Sequence, residues 1–278
     1  MIDLTSTAGV RHILQKFALR PTKSLGQNFF VSAYYLNRIL DALDIDRDTG
    51  VLEIGSGLGT LTAGLAGRAG SVAAVEIDRK LIPVLEHTLA ECENVEIINA
   101  DVLSLDLREI CASLNRPKLK IVSNLPYYIT TPVIERLLVS RCFDDIAVLV
   151  QREACDRLTA PPGSVNYCAA SVLVAYYATA SRLFAVPRSC FYPQPGVDSA
   201  LLRLTPRSGA DARFDADFLK LVDAAFAQRR KTLANALSGR VAPRERVAAA
   251  LSQCGYAENI RGEALGYADF TALAKLLF

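Results

Sequence analysis

The chain reads as an α/β protein: a doubly wound parallel sheet with an antiparallel edge, followed by a small all-helical C-terminal domain. Three observations predict this. Between residues 50 and 150, short Val- and Ile-rich runs alternate with amphipathic segments, the pattern of βα units that cover a parallel sheet on both faces. The first of these runs ends in a Gly-rich turn, Gly55-Ser56-Gly57-Leu58-Gly59, at the strand end where open α/β sheets take their ligands. Beyond Pro206-Arg207-Ser208-Gly209, which has linker composition, only helical periodicity remains.

The elements follow in order. Val10–Phe17 and Ala33–Leu43 have helical spacing, with the polar loop Arg20–Asn28 between them. Gly50–Ile54, Ser71–Ile77, Val95–Asn99, Leu119–Ser123 and Ile146–Val150 read as strands. Thr60–Arg68, Arg79–Glu91, Asp106–Leu114 and Pro132–Leu138 read as the helices between them. Arg182–Val186 and Ser199–Leu204 are extended runs joined by a Pro-rich connection too short for a crossover helix, so they are expected to pair antiparallel at one edge. Asp217–Gln228, Lys231–Leu237, Pro243–Gln253 and Tyr267–Leu277 then form the helical appendage. The expected domains are therefore 1–206 and 207–278.

Composition narrows the class. With 278 residues, 51% hydrophobic and 22% charged, the chain can bury a large core and is not a disordered or fibrous protein. A net charge of +2 does not announce a nucleic-acid partner. The segment from Arg207 onward carries +3 and the rest −1, so the tail is the more basic part. Seven scattered cysteines lack any C-x-x-C spacing, and only two histidines are present. They read as reduced thiols in a cytoplasmic protein without a metal centre. No signal peptide is visible at the N-terminus. The longest apolar stretch, Ala169–Ala180, is too short to span a bilayer.

Four strand ends carry chemistry. At the fourth strand the apolar run Lys120-Ile121-Val122 stops at Ser123-Asn124-Leu125-Pro126-Tyr127-Tyr128. The Asn124 side-chain oxygen and the Leu125 carbonyl can accept from the exocyclic amine of a planar base. Pro126 fixes the backbone behind that carbonyl, and Tyr127 can stack on the ring. The same residues also suit an ordinary strand-to-loop turn. At the first strand, the G-x-G-x-G spacing is shorter than a dinucleotide fingerprint. With Glu53 two residues before Gly55, it suits S-adenosylmethionine, which has no pyrophosphate to cradle, although a tight structural turn is also compatible. At the second strand, Glu76 can hold ribose hydroxyls; the plain alternative is a solvated carboxylate or one paired with Arg79. At the third, Asp101 can accept from an adenine amine, or cap a turn. Each site alone is ambiguous, but four in succession point to one ligand cleft.

With these sites placed, the chain resembles the ribosomal RNA adenine N6-dimethyltransferase family, and within it the bacterial small-subunit branch. The resemblance is carried by Lys23-Ser24-Leu25-Gly26-Gln27-Asn28-Phe29, the Gly55–Gly59 turn, Glu76-Ile77-Asp78, Asn99-Ala100-Asp101 and Asn124-Leu125-Pro126-Tyr127-Tyr128-Ile129-Thr130-Thr131-Pro132. It continues through Gln151-Arg152-Glu153, Phe191-Tyr192-Pro193-Gln194-Pro195, Val197-Asp198-Ser199 and Arg229-Arg230-Lys231-Thr232-Leu233. The resemblance runs from about Lys16 to the C-terminus. It implies a Rossmann-like methyltransferase sheet and an enzyme that uses S-adenosylmethionine to dimethylate two adjacent adenosines in a hairpin loop near the 3′ end of small-subunit ribosomal RNA. The implied setting is cytoplasmic, with a monomer acting on a partly assembled subunit. By the same resemblance, Gln27, Asn28 and Phe30 cover the cofactor, and Gly55, Gly57, Glu76, Asp101 and Asn124 contact it or lie beside it. Asn124, Leu125, Tyr127 and Phe191 form the target-base pocket, the two rings sandwiching the base. Four positions depart from the family pattern: Ser56 for Pro, Phe30 for Leu, Cys168 for Gly and Gly196 for Lys. The last leaves one phosphate contact in question.

Arg229-Arg230-Lys231 reads as the start of a helix in the basic tail. A charge run of this kind is often a solvated face; in a domain that follows a catalytic cleft, phosphate contact is favoured. Arg11, Lys16, Arg20 and Lys23 extend the basic surface. Two other functions occur on this fold. A large-subunit RNA methyltransferase of the macrolide-resistance type shares fold and chemistry, but Leu125 and Thr130-Thr131 favour the small-subunit enzyme. A non-catalytic assembly factor on the same fold could lose its acceptors, whereas Glu76, Asp101, Asn124 and Tyr127 are all present here.

Overall fold

The structure is a computed structural model that describes residues 3–22, 25–207, 215–228 and 230–278. The elements in chain order are α1 (Thr7–Lys16), β1 (Phe29–Phe30), α2 (Ala33–Asp41), β2 (Thr49–Ile54), α3 (Thr60–Ala66), β3 (Ser71–Glu76), α4 (Ile82–Thr88), β4 (Val95–Asn99), α5 (Leu107–Leu114), β5 (Lys118–Asn124), α6 (Thr130–Ser140), β6 (Asp145–Gln151), α7 (Arg152–Leu158), α8 (Ala169–Tyr177), β7 (Ala178–Val186), β8 (Phe191–Tyr192), β9 (Ser199–Pro206), α9 (Asp215–Phe226), α10 (Leu233–Leu237), α11 (Arg244–Gln253) and α12 (Tyr267–Leu277). Each strand expected from Val/Ile content is present, within a few residues at its ends.

Seven strands form one sheet in the order β4-β3-β2-β5-β6-β9-β7. β4, β3, β2, β5 and β6 run parallel, and β9 joins antiparallel to β6. All six residues of β2 are buried, as a sheet covered on both faces requires. The chain steps outward one way from β2 and the other way from β5, so the topological switch lies between them. At that position open sheets have a crevice. β1 and β8 form a separate antiparallel ribbon, pairing Phe29 with Tyr192 and Phe30 with Phe191. Two-residue strands leave no periodic trace, so neither was expected from sequence.

Local chemistry sets the helix starts. Asp106 caps α5 by accepting from Arg108 N–H. The helix expected from Arg79 begins as a 3₁₀ turn at Arg79–Leu81 and becomes α-helical at Ile82. Pro83 sits in its first turn, where the missing N–H costs no intrahelical bond. Thr232 caps α10, its hydroxyl accepting from Asn235 N–H. The basic run therefore does not open that helix: Arg230 and Lys231 lie in the turn before it, and Arg229 lies outside the described residues.

The chain divides into two compact units, Met1–Cys155 with Ser181–Pro206, and Asp156–Ala180 with Arg207–Phe278. The expected linker at 206–207 marks the last of three crossings. The segment 156–180 belongs with the helical unit, a partition that charge and linker composition could not reveal. Within that unit Tyr176 of α8 stacks on Phe218 of α9 at 3.9 Å, and the buried Tyr167 hydroxyl donates to the Leu265 carbonyl at 2.7 Å. α8 buries Val172, Val174, Tyr176 and Tyr177. A helix apolar on nearly every side shows no 3.6-residue period, so its sequence gives no helical signature. Among the described residues no helix is long and apolar enough to cross a membrane.

Candidate active site

A cavity of about 340 Å³ opens where the carboxyl ends of β2, β3 and β5 meet β1. Its lining includes all but one of the residues that sequence reasoning placed at the cleft, Phe191 being the exception: Gln27, Asn28 and Phe30; Gly55 and Gly57; Glu76; Asp101; Asn124, Leu125 and Tyr127.

The glycine turn is required twice over. Gly55 and Gly57 have φ of 75° and 60°, which side chains with a Cβ rarely adopt. A Cβ at Gly55 would also come within 3.3 Å of Pro126, and one at Gly57 within 3.3 Å of the Phe29 ring. The turn can therefore lie flat against whatever fills the cavity.

Three carboxylates sit at this end. Glu76 is 5% exposed; its Oε2 accepts from Gly57 N–H and its Oε1 from Asp78 N–H, each at 2.9 Å. Burial pushes its carboxyl above the usual range, and the backbone donors pull against that shift. It pairs with no cation among the described residues, so the Arg79 pairing considered from sequence is not formed. Asp101 does cap a turn, its Oδ1 accepting from Leu103 N–H at 2.9 Å, and is also among the residues that line the cavity. Glu53, which the sequence reading used only for its spacing to Gly55, also lines the cavity. It is 1% exposed, and its Oε2 has no hydrogen-bond partner. Burial pushes its carboxyl to about 8, the Thr62 hydroxyl opposing and Glu76 adding to the rise.

The loop before β1 is braced to the same strand ends. The Gln27 amide accepts from Thr22 N–H and donates to Asp78 Oδ2, both at 2.7 Å. Asn28 Nδ2 donates to the Gly26 carbonyl at 2.9 Å. The Asn28 carbonyl in turn accepts from Asn124 Nδ2 at 3.2 Å. This last bond fixes the Asn124 amide and leaves its Oδ1 buried with no partner. Buried acceptors are seldom left so.

Beyond Asn124 the lining is neutral. Leu125, Pro126 and Tyr127 follow the strand end. The Tyr127 hydroxyl is 2.9 Å from Ser199 Oγ, a fully buried residue of β9. Burial raises the Tyr127 phenol, with the Ser199 bond acting the other way. Tyr128, 52% exposed, lines the cavity beside it. Phe191 takes a different place from the one expected. It is 3% exposed, lies within the core cluster and packs edge-to-face on Phe30 at 5.3 Å. It packs behind the cavity wall against Phe30 and is not among the lining residues. Arg230 and Lys231 are exposed residues of the helical unit.

Sequence reasoning did not single out Glu53, Phe29, Tyr128 or Ser199. Glu53 lies in a wholly buried strand, where alternation cannot tell a core position from a site position. For Ser199 a signal existed, since Val197-Asp198-Ser199 was among the matching motifs. Among the described residues no group of three or more His, Cys, Asp or Glu side chains is placed to hold a metal. The cavity thus has an ionisable end at the glycine turn and a neutral, acceptor-rich end at Asn124.

Comparison with known proteins bears on this arrangement. The model of the ribosomal RNA adenine dimethylase family matches residues 18–277. Ribosomal RNA small subunit methyltransferase A of Alkaliphilus metalliredigens (strain QYMF) is 41% identical over 281 residues, 99% of this chain and 98% of that protein. The protein of the same name from Streptococcus pneumoniae serotype 2 (strain D39 / NCTC 7466) is 41% identical over 274 residues, 95% of this chain and 94% of that one. Among solved structures, a dimethyladenosine transferase from Plasmodium falciparum superposes with a TM-score of 0.75 at 25% identity, covering 87% of this chain and 94% of that one. The 23S rRNA methyltransferase ErmE gives 0.67 at 27% identity, covering 90% and 99%.

Proposed function

The chain belongs to the ribosomal RNA adenine dimethylase family, and we propose that its cavity binds S-adenosylmethionine at the glycine end and a small-subunit rRNA adenosine at the Asn124 end. The enzyme is an S-adenosylmethionine-dependent rRNA adenine N6-dimethyltransferase. Its substrate on this reading is a pair of adjacent adenosines in a hairpin loop near the 3′ end of small-subunit RNA, presented on a partly assembled subunit in the cytoplasm. The observation that carries the reading is Asn124 Oδ1: a buried acceptor, oriented by its own Nδ2 bond and left without a partner.

The donor set fits the cofactor. The flat glycine turn accepts close approach, Glu76 and Asp101 offer acceptors for ribose hydroxyls and an adenine amine, and the braced Gln27–Asn28 loop with Phe30 covers the site. When bound, S-adenosylmethionine supplies a methyl group already activated by its sulfonium. The chain's own residues align and stabilise. The adenine amine is a poor nucleophile, because its lone pair is delocalised into the ring. Asn124 Oδ1 and the Leu125 carbonyl accept its two N–H groups, draw the nitrogen toward tetrahedral geometry and favour the positive charge that develops on it. No strong base is needed if the proton leaves after attack. Tyr127, tied to Ser199, gives the base a stacking face worth ~1–3 kcal/mol.

The test is mass analysis of RNA from immature small subunits after incubation with protein and cofactor. Two adjacent dimethyladenosines in the 3′ hairpin are expected. Methylation confined to large-subunit RNA, or none, would overturn the reading.

A further inference from the structure

Each of the two core clusters that the β1/β8 ribbon joins, one holding Phe30 and Phe191 and the other Phe29, has a stacked arginine on it. On the first, the Arg38 guanidinium lies 4.1 Å from the centroid of the Phe184 ring and 6.0 Å from that of Tyr35. Both rings pack on the core cluster that contains Phe30 and Phe191. Tyr34, 68% exposed, sets its ring edge-on to Tyr35 at 5.1 Å. On the second, Arg11 of α1 lies 5.1 Å from the centroid of Tyr192, the ribbon partner of Phe29. Both arginines are exposed. Among the described residues neither has a carboxylate within ion-pair distance.

This arrangement suits one kind of partner. A guanidinium laid on an aromatic ring has one face held and its N–H edge free, so little rotamer freedom is lost when it meets an anion. Without an acidic neighbour its charge stays available, and planar guanidinium matches phosphate oxygens bidentately. An exposed tyrosine next to such a pair gives an unstacked base a face to rest on. The pairs flank the strand whose Phe29 and Phe30 line the cavity, so a strand with one base in the cavity passes them on either side.

We propose that Arg11 and Arg38 bind phosphates of the RNA strand on the two sides of the target adenosine, and that Tyr34 stacks with a flanking base. The proposal rests on the reading of the cavity as an rRNA adenosine site. It gives the catalytic unit an RNA footprint of its own, independent of Arg230 and Lys231.

The experiment measures binding of full-length protein to immature small subunits, and to the isolated 3′ hairpin RNA, at several salt concentrations. Arg11→Ala and Arg38→Ala should each raise Kd for both ligands and lower the salt slope by ~0.7–0.9. Arg38→Lys should recover the slope but only part of the affinity, since charge returns without the planar stack. Tyr34→Ala should weaken binding with the slope unchanged. Calorimetric affinity for S-adenosylmethionine and thermal stability should stay as in the wild type. Unchanged slopes in both arginine variants, with wild-type methylation intact, would overturn this inference and leave the parent reading standing. Lost affinity for the particle but not for the hairpin RNA would assign the surface to a protein of the particle and also overturn it. If the wild-type protein fails to methylate the particle, the parent reading falls, and with it this one.

Discussion

The two ends of the parallel sheet treat buried polar groups in opposite ways. At the amino end, Lys120 of β5 is 8% exposed and donates to the Leu43 and Asp44 carbonyls at 2.8 and 3.2 Å. Asp145, the first residue of β6, holds Arg203 at 2.8 Å and lies 3.9 Å from Lys120. At the carboxyl end, Glu53 Oε2 and Asn124 Oδ1 are buried without a hydrogen-bond partner and, unlike Asp145 Oδ2, which makes no hydrogen bond either, pair with no cation among the described residues. An unpaired buried acceptor costs ~1–3 kcal/mol, so a sheet built for stability alone would have satisfied them. The difference separates groups paired within the fold from groups left open beside the cavity.

Breaking the ion-paired end should give the largest effect. Asp145→Ala leaves two cations facing each other in a partly dry site, a loss of ~3–5 kcal/mol for a broken buried pair. Chemical denaturation should show it, while cofactor affinity of the folded fraction stays unchanged. A loss below 1 kcal/mol would mean the amino-end network is not holding the sheet.

The unsatisfied end should respond to pH instead. The folded Glu53 carboxyl is raised to about 8, against an unfolded value near 4.5. The folded state therefore binds the extra proton between those values. The contribution to stability is complete below about pH 4.5 and is lost as pH rises toward 8, at up to ~1.4 kcal/mol per pH unit. Glu53→Gln should flatten the decline of thermal stability over that window, leaving the part due to Glu76. An unaltered profile would show that Glu53 is already ionised in the fold.

The amino end was invisible to sequence reasoning, and most of the carboxyl end was not. Gly55, Glu76, Asp101 and Asn124 each follow a strand that Val/Ile content marks, so their common placement follows from topology alone. Lys120, Asp145 and Arg203 lie inside or at the starts of strands, where no turn signal or motif marks them. Phe191 was less legible for a related reason. A Phe among prolines can face a ligand or the core, and only its pairing with Phe30 across the short ribbon decides. The all-apolar α8 gave no helical period, so neither it nor the packing of 156–180 into the helical compact unit was legible.

The smallest effect tests whether the neutral half of the carboxyl end is held as rigidly as the amino end. Ser199→Ala removes one hydrogen bond to Tyr127, worth ~0.5–1.5 kcal/mol. A rise of several-fold in KM for RNA is expected, with cofactor affinity unchanged. In a Tyr127→Phe background the same substitution should add nothing. Additive losses would mean that Ser199 acts on something other than the Tyr127 hydroxyl.

The most direct measurement of the central claim is single-turnover methyl transfer by Asn124→Ala to immature small subunits at saturating S-adenosylmethionine. If Asn124 Oδ1 is the acceptor that charges the amine, the rate should fall on the order of a hundredfold or more, with RNA binding and folding stability close to wild type. A rate within a few-fold of wild type would return Asn124 to the role of a turn residue and contradict the account.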